Sequence, residues 1–257
     1  MHSASVTDAG AKIRWVELPG GNPARVYLHG LGAMSAAYYA AVAADPRLGR
    51  HRSLLVDLLG FGLSDRPADF DYTLDDHAEA LSRALRTAAV VGAEVVAHSM
   101  GGAVAIVLAA RYPELVSKLV LVDANLDPYV PKRMPGSSGI ATYTEAEFLE
   151  DGWDETRDRV GEHWWSTMRL AGREALYRSA VHLAQGTTPT MRQQLLALTI
   201  PRTFLYPETD GAPLGGDELR AAGVELVAIP ESGHNIMLDN PELFVCATAA
   251  AFARSGS

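Results

Sequence analysis

The chain has 257 residues, 48% hydrophobic and 21% charged, an ordinary globular composition with enough length for one large domain. A formal net charge of −9 disfavours nucleic acid and anionic membrane surfaces as partners, and mildly disfavours polyanionic substrates. The single cysteine, Cys246, excludes a disulfide within the chain; in the apolar stretch Phe244 to Ala251 it reads as a buried, inert thiol.

The opening, Met1 to Gly10, has no cationic segment followed by an apolar run, so no secretion signal is expected. No apolar run approaches the length of a membrane span, and the expectation is a soluble, cytoplasmic protein. The first clear strand, Arg25 to Leu28, leads into His29-Gly30-Leu31-Gly32. A second, Ser53 to Asp57, leads into Leu58-Leu59-Gly60-Phe61-Gly62-Leu63-Ser64. Thr73 followed by Asp76 forms a helix N-cap signal, and Ala78, Leu81, Leu85 and Ala88 then recur on one helical face.

The strand Glu94 to Ala97 runs into His98-Ser99-Met100-Gly101-Gly102 and a small-residue helix, Gly101 to Arg111, that Pro113 stops. Lys118 to Val122 is a strand ending at Asp123. From Asn125 to about Thr199 no strand is expected: Pro128, Pro131, Pro135 and the loop Gly136-Ser137-Ser138-Gly139 precede helical stretches carrying Trp153, Trp164 and Trp165. Arg202 to Tyr206 and Val224 to Ile229 are the last strands, and Asn240 before Pro241 caps the terminal helix. Apolar strands alternating with helices predict an α/β fold with a mostly parallel central sheet covered on both faces. The expected organisation is a core of residues 1–124 and 200–257 with a helical cap insertion at 125–199.

The chemistry centres on Ser99. A serine on a tight strand-to-helix turn needs small neighbours, which Gly101, Gly102 and, less well, Ala97 supply. At a helix N-terminus, free N–H groups and the dipole favour developing negative charge. These features together resemble the α/β-hydrolase superfamily over nearly the whole chain. His29-Gly30-Leu31-Gly32 is similar to its HGxG loop and Asp57 to Ser64 to its D-x-x-G-x-G-x-S segment. Ala97 to Gly102 is similar to its nucleophile elbow, and Ser232-Gly233-His234 with Asn240-Pro241-Glu242 to its terminal histidine loop.

The resemblance implies a serine hydrolase. Ser99 is the nucleophile and His234 its general base, the role for which imidazole is the usual side chain. The backbone N–H groups of Met100 and Leu31 form the oxyanion hole. Two aspartates compete for the acid. Chain order favours Asp210, although Pro207 departs from the usual G-x-x-D pattern; Asp123, at the end of its strand, is the rival, and Glu208 follows. His29, Asp57 and Asp65 read as loop-ordering residues. Trp164, Trp165 and Met168 line a substrate pocket or form the cap's own core. The histidines show no metal-ligand spacing, Gly60-Phe61-Gly62 lacks the third glycine of a dinucleotide loop, and no Walker lysine appears, so no metal or cofactor is expected.

The expected reaction is hydrolysis of a small, largely apolar ester or similar acyl bond through an acyl-enzyme. Carbon–carbon bond hydrolases, lactonases, thioesterases, perhydrolases and acyltransferases or cyclases share the fold, as do non-catalytic ligand-binding proteins.

Overall fold

Eight strands build the sheet in the computed structural model, which describes residues 1–134 and 137–254. Pro135 and Gly136 of the predicted loop therefore lie outside the described residues. The strands are β1 His2–Ser5, β2 Lys12–Leu18, β3 Gly21–Leu28, β4 His51–Asp57, β5 Ala93–His98, β6 Val116–Val122, β7 Arg202–Pro207 and β8 Val224–Ile229. Their order across the sheet is β1-β2-β4-β3-β5-β6-β7-β8. From β4 to β8 every pairing is parallel; β1 and β2 join antiparallel at one edge. This is the predicted α/β architecture, with the six anticipated strands in place. The two antiparallel edge strands carry polar residues throughout, as in Lys12-Ile13-Arg14-Trp15-Val16-Glu17-Leu18, and lack the apolar run that marks a buried strand.

Side-chain alternation along the strands divides the core in two. Val26, Leu28, Val95, Ala97, Leu119 and Leu121 face one layer. Tyr27, Val96, Val120, Val122 and Leu205, the intervening residues, face the other. The first layer holds helices α2 (Leu74–Thr87) and α3 (Met100–Arg111); the second holds α1 (Ser35–Ala44), together with the carboxyl-terminal helices. The capping box of α2 forms as read from the sequence: the Asp76 N–H donates to Thr73 Oγ1 at 3.0 Å, and the Asp76 carboxylate accepts from the Thr73 N–H at 3.2 Å. Such a cap contributes about 1 kcal/mol.

Between β6 and β7 the described residues contain helices and no strand. A short helix α4 (Glu145–Glu147) continues through a wide turn at Phe148–Gly152 into α5 (Trp153–Met168), followed by α6 (Arg173–Gln185) and α7 (Met191–Ala197). Helix α5 is broken at Gly161, whose φ of 78° lies outside the helical region. The segment leans on the loops after β3 and β4: the Trp164 indole N–H donates to the Leu31 carbonyl at 2.8 Å, and the Gly172 N–H to that of Gly60 at 2.9 Å. After β7 come α8 (Gly216–Ala221), α9 (Ile236–Asp239) and α10 (Pro241–Ala253). Among the described residues no helix is long and apolar enough to cross a membrane. Cys246, expected buried, is exposed on α10, because that helix turns its Phe244, Val245, Thr248, Ala251 and Phe252 side to the core. Arg47 reaches the thiol, its Nη1 donating to Sγ at 3.2 Å.

Candidate active site

The carboxyl ends of the parallel strands carry the polar side chains that converge. Ser99 stands between β5 and α3 with φ 51° and ψ −121°, a conformation that L residues avoid without support from their surroundings. That support is visible. The Ser99 N–H donates to the Val122 carbonyl at 2.9 Å, and α3 begins at once, with Gly102 N–H returning to the Ser99 carbonyl at 2.9 Å. A side chain at Gly101 would collide with the His29 carbonyl, and one at Gly102 with Ala124. The glycines therefore let α3 lie against the ends of β3 and β6, which holds the turn in place.

Ser99 is 8% exposed and opens into a cavity of about 460 Å³. Its hydroxyl donates to Asn125 Oδ1 at 3.4 Å, a long bond. His234 lines the same cavity. Its loop is tied down by the Ser232 hydroxyl, which donates to the Ile229 carbonyl at 2.8 Å, and by the Gly233 N–H, which donates to Asp239 Oδ2 at 2.9 Å.

His234 Nδ1 lies 2.6 Å from Asp123 Oδ2, within charge-assisted hydrogen-bond range. Because a carboxylate only accepts, Nδ1 carries the proton and leaves Nε2 as the basic nitrogen. Asp210, which chain order favoured, makes no contact with His234; the pairing belongs to Asp123. The reason is local. Strand β7 ends at Pro207 and turns through a single 3₁₀ turn, Glu208–Asp210, whose residues point into solvent. Among the described residues Asp210 accepts only from the hydroxyl of the adjacent Thr209, at 3.3 Å. Glu208 is exposed on the same turn. At Asp123, by contrast, φ is 41° and the N–H donates to the Leu205 carbonyl at 2.8 Å, which bends the chain across the sheet edge toward the histidine loop.

The Met100 N–H occupies the first position of α3 and has no intrahelical acceptor. The Leu31 N–H makes no hydrogen bond among the described residues. The loop carrying Leu31 is ordered by buried neighbours. His29 Nδ1–H donates to the Gly30 carbonyl at 2.7 Å, and its Nε2 accepts from the Leu58 N–H at 3.1 Å. Burial depresses the His29 pKa below the usual histidine value and keeps the ring neutral. Asp57 accepts from the Ser35 and Leu63 N–H groups, each at 2.8 Å, and Asp65 from the Lys12 N–H at 2.9 Å. These three residues hold loops and do not face the cavity.

Of the aromatic and methionine residues anticipated in the pocket, Trp164 lines it and the other two do not. Trp165 packs edge-on against Trp153 with centroids 4.8 Å apart, one helical position round from Trp164 and facing its own helices. Met168 is fully buried against Gly32, under the loop and not beside the cavity. Sequence reading missed Tyr38, His98, Asn125, His163 and Asn235, all of which line the cavity. Two of them had an available signal: His98 adjoins Ser99, and Asn125 follows the strand-end Asp123 by two positions. Among the described residues no group of three or more His, Cys, Asp or Glu side chains is placed to hold a metal ion.

A doubly covered parallel sheet, a strained serine at the β5–α3 turn and a histidine–aspartate pair beside it define an α/β hydrolase. The chain belongs to that family: the model for the alpha/beta hydrolase fold matches residues 26–225. It is 35% identical over 113 residues to a probable lysophospholipase, BODYGUARD 4 of Arabidopsis thaliana, covering 44% of this chain and 26% of that protein. It is 39% identical over 101 residues to the 2-hydroxymuconate semialdehyde hydrolase of Pseudomonas sp. (strain CF600), covering 38% of this chain and 35% of that one. These matches span about a quarter to a third of the relatives' length. Its fold is similar to that of an esterase from Exiguobacterium antarcticum, with TM-score 0.77 at 21% identity over 97% of this chain and 98% of that one.

Proposed function

We propose that this chain is a serine hydrolase that transfers the acyl group of a small, uncharged ester-like substrate to water, with Ser99, His234 and Asp123 as its catalytic triad. The convergence of a nucleophile-elbow serine with an Asp123-oriented histidine on one cavity carries this reading. Ser99 Oγ attacks the carbonyl carbon while His234 Nε2 takes its proton. The tetrahedral oxyanion is held by the N–H groups of Leu31 and Met100. Collapse expels the leaving group, which takes the proton from His234. Water, deprotonated in turn by His234, then cleaves the acyl-serine and restores the hydroxyl. Asp123 fixes the tautomer and stabilises the transient imidazolium. A substrate carbonyl approaching Ser99 Oγ would displace the long Ser99–Asn125 bond and free the hydroxyl to donate to His234.

The helical segment at 125–199 acts as the cap, contributing Val160, Trp164 and Leu183 as apolar wall. Asn125, Ser137 and Ser138 supply uncharged polar groups, and no Lys, Arg, Asp or Glu is among the described lining residues. A buried carboxylate with no cation beside it is costly by several kcal/mol, so the lining favours a neutral acyl group. The test is turnover of p-nitrophenyl esters from short to long acyl chains, with a matched ester ending in a carboxylate. Wild type is expected to hydrolyse the neutral esters at least about tenfold faster in kcat/KM than the charged one. Ser99→Ala is expected to lose on the order of 10⁴-fold or more. Equal turnover by Ser99→Ala would overturn the reading.

A further inference from the structure

His98, the residue before Ser99, is 3% exposed and is not used by the mechanism above. Its Nε2 lies 2.9 Å from the main-chain carbonyl oxygen of His234. A carbonyl only accepts, so this nitrogen carries the proton, and His98 donates to the backbone of the catalytic histidine. The two imidazole rings also touch, with centroids 4.5 Å apart at 50°. On another side, His98 stacks at 6.2 Å on Tyr38. The second ring nitrogen, Nδ1, is buried and has no partner among the described residues. It faces Gly30 of the oxyanion loop, where a Cβ would lie 2.9 Å from Nδ1 and 3.1 Å from Ser99 Cβ. One side chain therefore meets the three parts that must keep register: the elbow, to which it is covalently joined, the base loop, to which it donates, and the oxyanion loop, against which it packs.

We propose that His98 is a positioning residue for His234: its Nε2–H, held one residue from the nucleophile, fixes the distance between the serine turn and the base loop. This rests on the serine-hydrolase reading above. Protonating the free Nδ1 would place a charge with no acceptor in a buried site next to His234. Burial, with the adjacent His234 adding to it, holds the His98 pKa well below the usual histidine value. The clamp therefore keeps one tautomer while His234 gains and loses its proton, and puts no second positive charge beside the imidazolium.

The amide pair His98→Gln and His98→Asn separates donor reach from polarity. A glutamine N–H reaches the position of Nε2; an asparagine N–H stops near Nδ1. With a neutral p-nitrophenyl ester, His98→Asn is expected to lower kcat by about tenfold to a hundredfold with KM within about threefold. His98→Gln is expected to keep kcat within about threefold of wild type. The downfield NMR resonance of the His234 Nδ1 proton, shared with Asp123, is expected to broaden in His98→Asn and persist in His98→Gln. Wild-type kcat in His98→Asn, or equal loss in both variants with the resonance unchanged, would overturn the proposal. The resonance reads the clamp without turnover. An inactive wild type, or an active Ser99→Ala, would sink the hydrolase reading while leaving this contact testable.

Discussion

Where β3, β5 and β6 begin to pair, Arg25, Glu94 and Lys118 stand side by side; beyond the carboxyl ends of the same strands stand the His29 to Gly32 loop, Ser99 and Asp123. The first group is paired by charge. Arg25 Nε bonds Glu94 Oε2 at 3.0 Å, and Lys118 Nζ lies 3.3 Å from Glu94 Oε1. The Arg25 guanidinium also donates to the Leu48 carbonyl at 2.6 Å and lies 4.5 Å over the Phe252 ring. The second group is strained and under-bonded. Ser99 and Asp123 both hold positive φ, and among the described residues the Ser99 hydroxyl has one long hydrogen bond and His98 Nδ1 has none. One sheet thus shows two uses of buried polarity. Where buried charges meet opposite charges, the group supports the fold. Where backbone strain is retained and polar atoms lack close partners, the arrangement is not one that stability alone would select.

Substitutions at the two ends should give reciprocal results. The largest effect belongs to Asp123→Asn, which leaves the histidine without its anionic partner. Its kcat is expected to fall on the order of 10⁴-fold while urea unfolding shifts little. Next is Glu94→Gln, which removes the carboxylate shared by two cations. It is expected to lower unfolding free energy by about 3 kcal/mol, with kcat/KM of the remaining folded enzyme within about twofold. The smallest is Asp210→Asn, whose kcat should stay within about twofold, since that side chain sits in solvent. A large kinetic loss at Glu94 or a large loss of stability at Asp123 would break the division between the two ends.

The sequence carried the fold clearly because apolar strands, glycine pairs and capping residues are local signals. Val95-Val96-Ala97 ahead of Ser99 and two glycines states a strand, a turn and a close-packed helix within a few residues. Strands β1 and β2 are illegible, since polar residues interrupt the apolar ones in β2 and β1 buries only Ala4. Ser99 and His234 stood out for the same local reasons. The partner of His234 did not: whether Asp123 or Asp210 reaches the ring depends on how the chain leaves β6 and β7. Asp123 bends inward at positive φ, whereas Pro207 leads the other loop outward, and neither path is encoded by residue type alone. Trp164 and Trp165 illustrate the same limit. Adjacent and identical, they part because one indole points to the Leu31 carbonyl and the other to Trp153.

Covalent labelling with a fluorophosphonate, followed by mass spectrometry of the modified peptide, asks whether Ser99 is an activated nucleophile. One adduct per chain is expected, located on Ser99 and formed far more slowly in Asp123→Asn. An adduct on another residue, or no adduct in protein shown to be folded, would contradict it.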